Sequence, residues 1–314
     1  MTFRGEPDPG ALLVPALGRD GRGGAVLLST GAGCDVHRWD PATGRLLWRF
    51  TGAGPVSEVA VACPPRRGPL VAVATDLGVE RVDAATGTAV PDEEMGDVDT
   101  IWDVTCGVLP DGRAFIAGAA QCEGLVHCWD AATAERLGPL PANDDRPVKA
   151  VTSMTLPDGT VLIAAENEAG VIRRWDAATS EPVGAPIHGA GEYTMRLVSL
   201  AMPGNRSLLA SLDMNGTLSR WDAITGEQVG GPPELGPDAV GIAAGCLGDT
   251  GMLFISTVGG PTEVRDIISG APAGTPFPGV NPSALTCPDG SLLLATGGAR
   301  TGEMHLYRLT VPAD

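Results

Sequence analysis

Lysine is almost missing from this chain. Of 21 basic residues only Lys149 is a lysine, and 38 aspartates and glutamates bring the net charge to −17. So acidic a molecule repels phosphate backbones and anionic lipid surfaces, which argues against nucleic acid and membrane as partners. No apolar run reaches the roughly 20 residues a membrane helix needs. The first eighteen residues carry Glu6 and Asp8 and a short apolar run broken by Pro15, which is unlike a signal peptide. Seven cysteines, an odd number without framework spacing, are expected as free thiols in a reducing cytoplasm. Neither a glycine-rich phosphate loop opening a helix nor a Gly-x-Ser-x-Gly elbow is present. Aromatic residues make up only 4% of the chain, yet four of the six tryptophans fall in one recurring phrase.

That phrase is written seven times: RWDPATG at 38–44, RVDAATG at 81–87, CWDAATA at 128–134, RWDAATS at 174–180, RWDAITG at 220–226, RDIISG at 265–270, and a worn LYRL at 306–309. The anchors Asp40, Asp83, Asp130, Asp176, Asp222 and Asp266, with Arg308 in the seventh slot, are 43, 47, 46, 46, 44 and 42 residues apart. A period of this size with several short strands per unit predicts an all-β fold, a seven-bladed β-propeller spanning residues 1–314 as one domain. A repeat array is a single cooperative body, so the length of 314 residues does not imply two domains.

The fourth unit shows the pattern of one blade. Apolar runs Val151 to Leu156 and Val161 to Ala165 flank the Pro157-Asp158-Gly159 turn, and a third strand is expected from Val171 to Trp175. A fourth, Glu181 to Ile187, carries Pro182 and Pro186, which remove ladder donors and mark it as the outer edge strand. In the phrase itself Trp39, Trp129, Trp175 and Trp221 are expected to pack between blades. The aspartate accepts backbone N–H bonds of the following turn, and Thr and Gly close it. These positions therefore read as structural. The last unit has too little chain for a fourth strand, so the N-terminal segment Thr2 to Pro7 is expected to pair there and close the ring.

With these residues in view the chain resembles the WD-repeat β-propellers, and more narrowly their bacterial, actinobacterial-like versions, whose high-GC composition the abundant Gly, Pro and Ala resemble. The resemblance implies a non-enzymatic platform that holds proteins or peptides on the ring faces. The Gly-His dipeptide of the eukaryotic pattern is absent, and Arg38, Arg81, Arg174 and Arg220 stand where an apolar residue is usual. Those arginines are expected to join blades by pairing with acidic groups or stacking on rings. Asp40 to Trp48 is also similar to the docking motif of quinone-dependent dehydrogenase propellers, whose terminal Trp packs between blades. Only the first unit has that Trp and no adjacent cysteine pair exists, so no cofactor is expected.

No convergent catalytic set is legible, and no catalytic residue is assigned. His37, His127 and His305 share one slot on three blades and read as packing residues; His188 stands alone in a loop. Cys122, His127 and Cys128 do not make a zinc site, since neighbouring strand residues point to opposite faces. Asp97 and Asp99 do not spell out a calcium cage, so no metal is expected. The loops that differ between repeats remain, and binding is usually placed on variable loops of a rigid scaffold. The most biased is Asp92, Glu93, Glu94, Met95, Asp97 and Asp99, followed by Trp102; Asp144, Asp145, Glu192 and Tyr193 lie in equivalent loops. An acidic rim with exposed Trp102, Met95 or Tyr193 fits a basic peptide or protein. The alternative is an enzyme or small-molecule binder, lyase- or lactonase-like, at the mouth of the central channel. Oligomeric state is not encoded legibly.

Overall fold

The computed structural model describes residues 1–4, 13–31, 33–65, 67–91, 95, 98, 100–141, 146–191, 193–231, 235–236, 238–298 and 302–311. All regular structure among them is β-strand, in seven antiparallel sheets taken up in chain order. Blade 1 runs Val14–Arg19, Ala25–Thr30, Asp35–Trp39 and Leu46–Thr51. Blade 2 runs Val56–Ala62, Leu70–Thr75, Gly78–Asp83 and Ala89–Val90. Blade 3 runs Ile101–Val108, Ala114–Ala120, Leu125–Asp130 and Arg136–Pro141. In blades 4, 5 and 6 the inner strands are Val148–Thr155, Thr194–Met202 and Ala239–Leu247, each followed by two more. Inner strands of neighbouring blades touch all the way round, the last against the first, so the ring is closed.

In blades 4 to 6 the outermost segment is present but pairs with its neighbour through isolated bridges in place of a ladder, Trp175 to Pro182 and Ile172 to Ile187 in blade 4 and Arg265 to Pro272 in blade 6. In blades 4 and 6 the bridging segments carry Pro182, Pro186 and Pro272, which have no N–H to give to a ladder; in blade 5 the bridge is Trp221 to Gln228. Blade 7 is completed from the other end of the chain. Its strands Val280–Thr286, Leu292–Gly297 and Glu303–Leu309 are joined by Thr2–Arg4, with Thr2 opposite His305, Phe3 opposite Met304 and Arg4 opposite Glu303. The expected closure is therefore made by residues 2–4; residues 5–7 lie outside the described residues.

There is no single core. Seven apolar clusters each fill one seam between consecutive blades. Trp39, Trp129, Trp175 and Trp221 are at most 2% exposed and each faces the preceding blade. Burying one such ring removes about 150–250 Å² from water, roughly 4–6 kcal/mol as an upper bound. The Asp of the phrase does what local chemistry requires. Asp40 Oδ1 accepts from the amides of Ala42 (2.9 Å) and Thr43 (3.3 Å), and Asp83, Asp130, Asp176, Asp222 and Asp266 repeat the pattern. The turn closes on a residue with positive φ: Gly44, Gly87, Gly226 and Gly270, but Ala134 (69°) and Ser180 (63°) in blades 3 and 4.

The arginines before the tryptophan face the following blade, and there each of them donates to backbone carbonyls. Arg81 donates to the carbonyls of Ala131 and Ala132 (both 3.0 Å), Arg174 to Ala223 (3.1 Å) and Ile224 (2.9 Å), and Arg220 to Ile267 (3.0 Å) and Ile268 (2.8 Å); Arg38 donates to Ala84. In each case the acceptors are the carbonyls just after the next blade's anchor aspartate. A carbonyl inside an Asp-x-x-Thr-Gly turn has no ladder partner, and the planar guanidinium reaches two at once. The other end of Arg174 and of Arg220 ties down its own outer segment, at Ala185 (2.7 Å) and Gly231 (2.9 Å).

Candidate functional site

Antiparallel order fixes two unlike faces. The turns between inner and second strands and the Asp-x-x-Thr-Gly turns share one face, while the loops entering each inner strand share the other with the turns between second and third strands. On that loop-rich face Leu77, Tyr193, Met195, Met214 and Val258 are exposed, from 38% to 68%. Tyr193 and Met214 belong to one surface, since the Met214 amide donates to the Tyr193 carbonyl (3.2 Å). Tyr193 holds φ at 57°, the left-handed region.

Of the expected rim residues, Asp92, Glu93, Glu94, Asp97, Asp99, Asp144, Asp145 and Glu192 lie outside the described residues. Met95, expected at the surface, is fully buried in the cluster between blades 2 and 3, because that seam needs a large apolar side chain beside Ala72 and Ala74. Trp102 is half-buried and its ring is already covered: the ammonium of Lys149 sits 3.0 Å from the ring centroid. The reason is a repeated bulge. Inner strands skip one residue at their start in blades 2 to 6, at Ser57, Trp102, Lys149, Met195 and Val240, which brings equivalent residues of adjacent blades together at the channel mouth. Burial lowers the pKa of Lys149, while Glu168 opposes the shift.

In blades 2, 3, 5 and 6 the residue after the bulge, Glu58, Asp103, Arg196 and Gly241, lines the channel, and blades 1 and 7 add Val14 and Asn281, so three ionisable groups from blades 2, 3 and 5 share the channel with small or uncharged residues. A cavity of about 460 Å³ lies between the seven inner strands. Arg196 reaches across it to an ion pair with Glu58, whose other oxygen accepts from the Val59 amide (3.1 Å). Asp103, 8% exposed, accepts from the amides of Val104 and, across the seam, Val151 (both 2.9 Å). Burial first, and the Glu58 carboxylate second, push its pKa up to about 7. The neighbouring carboxylates, Glu58 foremost, raise that of Arg196. Hydroxyls continue the polar wall: Thr105 pairs with Ser153 (3.0 Å) and Thr152 with Ser199 (2.8 Å).

Sequence reading missed Glu58, Asp103 and Arg196. Their signal was available, since in blades 2 to 6 they are the ionisable residues of a slot that is otherwise Ala or Gly, but the bulge must be known before the slots align. The histidines behave as packing residues: His37, His127 and His305 lie 6.1, 5.6 and 6.2 Å from Trp39, Trp129 and Tyr307, and His127 also bonds Glu123 (2.8 Å). Among the described residues no three His, Cys, Asp or Glu side chains gather as a metal site. None of the seven cysteines is joined in a disulfide. Another buried acid is Glu166 at the seam of blades 4 and 5, where burial pushes its pKa up to about 8 and Thr194 donates to it.

A closed ring of seven blades around a narrow polar channel, with one uniform and one variable face, defines a β-propeller. A family model described as outer membrane protein assembly factor BamB matches residues 15–90. That span is blades 1 and 2, and it contains the one seam docked by Trp48, whose indole N–H donates to the Ala84 carbonyl (2.9 Å). Gly87 must stay glycine there: φ is 74° and a Cβ would lie 2.7 Å from the Trp48 ring. A computationally designed protein, Ika8, solved as a crystal structure, is similar in fold, with a TM-score of 0.60 at 15% identity over 98% of this chain and 99% of that chain. No curated protein matches the chain.

Proposed function

We propose that this propeller is a non-enzymatic, cytoplasmic scaffold that holds a basic peptide or protein segment on its loop-rich face. The observation that carries the reading is the exposure of Tyr193, Met195 and Met214 on the loop-rich face, with Tyr193 and Met214 joined through their backbones, in a molecule with net charge −17. Aromatic and methionine side chains supply contact area, and the surrounding carboxylates supply attraction and selectivity for basic segments. In sequence, the acidic stretch 92–99 comes just before the inner strand of blade 3. Seven cysteines without a disulfide among them fit a reducing compartment. The family matched over blades 1 and 2 takes its description from an assembly factor, which accords with a role in holding other proteins.

Binding of Arg- and Lys-rich peptides, followed by fluorescence polarisation, tests the reading. Wild type is expected to bind with affinity that falls as salt rises. Tyr193→Ser with Met214→Ser, and separately Asp92, Glu93, Glu94, Asp97 and Asp99 changed to Asn or Gln, are each expected to weaken it at least tenfold. Unchanged affinity in both variants overturns the proposal.

The channel supports a second reading, a small-molecule binder, because a 460 Å³ cavity holds an acid whose pKa is pushed up to about 7.

A further inference from the structure

We propose that the central channel binds one organic cation, a guanidinium or alkylammonium group, beside Asp103 and Glu58 just beneath the loop-rich face. The reading above enters only as the source of that group, a basic side chain of the partner.

The charge in the cavity is unbalanced. Two carboxylates and one guanidinium are its charged lining groups, and Arg196 is committed to Glu58. Among the described residues no cation is ion-paired with Asp103, although it is more than nine-tenths buried. Its oxygens take two backbone N–H groups, which orient the carboxylate without neutralising it. A buried carboxylate beside a second one calls for a counter-charge, and in the empty channel a proton supplies it. An organic cation takes the same place when the proton leaves.

The surroundings admit such a group. Blades 6, 7 and 1 line the cavity with Gly241, Asn281 and Val14, which are uncharged and bring no competing cation. No titratable side chain of blade 4 lines the cavity, so Glu58 from blade 2 and Arg196 from blade 5 are the charges that face Asp103. One residue above, the mouth already holds a cation against an aromatic ring, Lys149 on Trp102. The acidic field of the whole molecule concentrates cations at the cleft.

Because cation and proton compete, affinity depends on pH with a fixed sign. The form that binds is the ionised one, about a tenth of the molecules at pH 6 and nine-tenths at pH 8, so binding is expected to be about tenfold tighter at pH 8. Calorimetric titration of wild type with N-acetyl-arginine amide, in two buffers of different ionisation heat, is expected to show that ratio. It is also expected to show release of nearly one proton at pH 6. Asp103→Asn removes the pH dependence and weakens binding at least tenfold at pH 8. Carboxyl ¹³C resonances of wild type give a test that needs no variant: one aspartate titrates in the neutral range, and the ligand moves its midpoint down by a unit or more. Equal affinity at the two pH values, wild-type binding by Asp103→Asn, or an unmoved midpoint overturns the proposal.

Agmatine in place of the arginine amide separates sources. Equal affinity for agmatine and for a basic peptide assigns the site to a free amine, and at least tenfold tighter peptide binding assigns it to a partner's side chain. Tyr193→Ser with Met214→Ser leaves the small-cation affinity unchanged while peptide capture is lost, so failure of the channel and failure of the face are told apart.

Discussion

Four seams of the ring carry an arginine latch and three do not, and the three are not left weaker by neglect. Between blades 3 and 4 the latch slot is Cys128, and the seam is crossed instead by Asp103 reaching the Val151 amide and by the Thr105–Ser153 hydroxyl pair. Between blades 6 and 7 it is Val264, and Phe277 bridges Phe254 and Tyr307 at 6.5 and 4.9 Å. Between blades 7 and 1 it is Leu306, and the N-terminal strand takes over, with Phe3 edge-on to Trp39 at 6.1 Å and the terminal amine on the Leu306 carbonyl at 2.7 Å. Each seam must give the exposed turn carbonyls or the apolar blade face some partner, but the partner's chemistry is free to vary. What is repeated is the need, and the arginine is one way of meeting it.

Breaking a latched seam is expected to cost most. Arg220, 1% exposed, donates to three carbonyls, and burial lowers its pKa. Arg220→Met strands those carbonyls, a loss of about 3 kcal/mol after the relief of removing a buried charge, read as the midpoint of urea unfolding. Breaking an unlatched seam comes next: Phe3→Ala empties a site that is 1% exposed and removes the edge contact with Trp39, about 2–3 kcal/mol by the same measurement. If Phe3→Ala costs nothing, the ring is closed by blade 7 packing on blade 1 and the terminal strand is an ornament. The smallest effect sharpens the turns themselves. Ala134 and Ser180 hold φ at 69° and 63° where four other turns have glycine, so Ala134→Gly is expected to stabilise by about 0.5–1 kcal/mol in thermal unfolding.

Acidity at the seam of blades 4 and 5 adds a pH signature. Folding raises the pKa of Glu166 from 4.5 to about 8. A raised carboxyl pKa means the folded state holds a proton that the unfolded state has lost, so this group's contribution is best below pH 4.5. Stability then falls by up to about 1.4 kcal/mol per unit between pH 4.5 and 8. Glu166→Gln is expected to flatten that slope in pH-dependent unfolding, while the latched Arg174 seam stays intact.

How much of this was legible follows from distance along the chain. Asp40 bonding Ala42 and Thr43 is a contact over two and three residues, and reading it needs no tertiary knowledge. The closing strand was legible by counting, since a seventh blade short of one strand and a spare N-terminal segment have one solution. The acceptors of Arg81 and Arg220 lie nearly 50 residues on, in backbone rather than side chains, so the arginines were visible and their partners were not. Met95 shows the limit of composition: in an acidic loop it reads as exposed, but the apolar seam beneath takes it in.

By itself the sequence determined the period, the seven blades, the turn chemistry and the overall charge, because repeats and turns depend on near neighbours and charge is a sum. Only the tertiary structure decided that Lys149 lies on Trp102 and that Glu58, Asp103 and Arg196 face one cavity. Those residues come from blades 2 to 5 and meet only when the ring closes, after a one-residue bulge has turned the inner strand of each of these blades by one position. A shift of one residue moves a side chain to the other face of its strand.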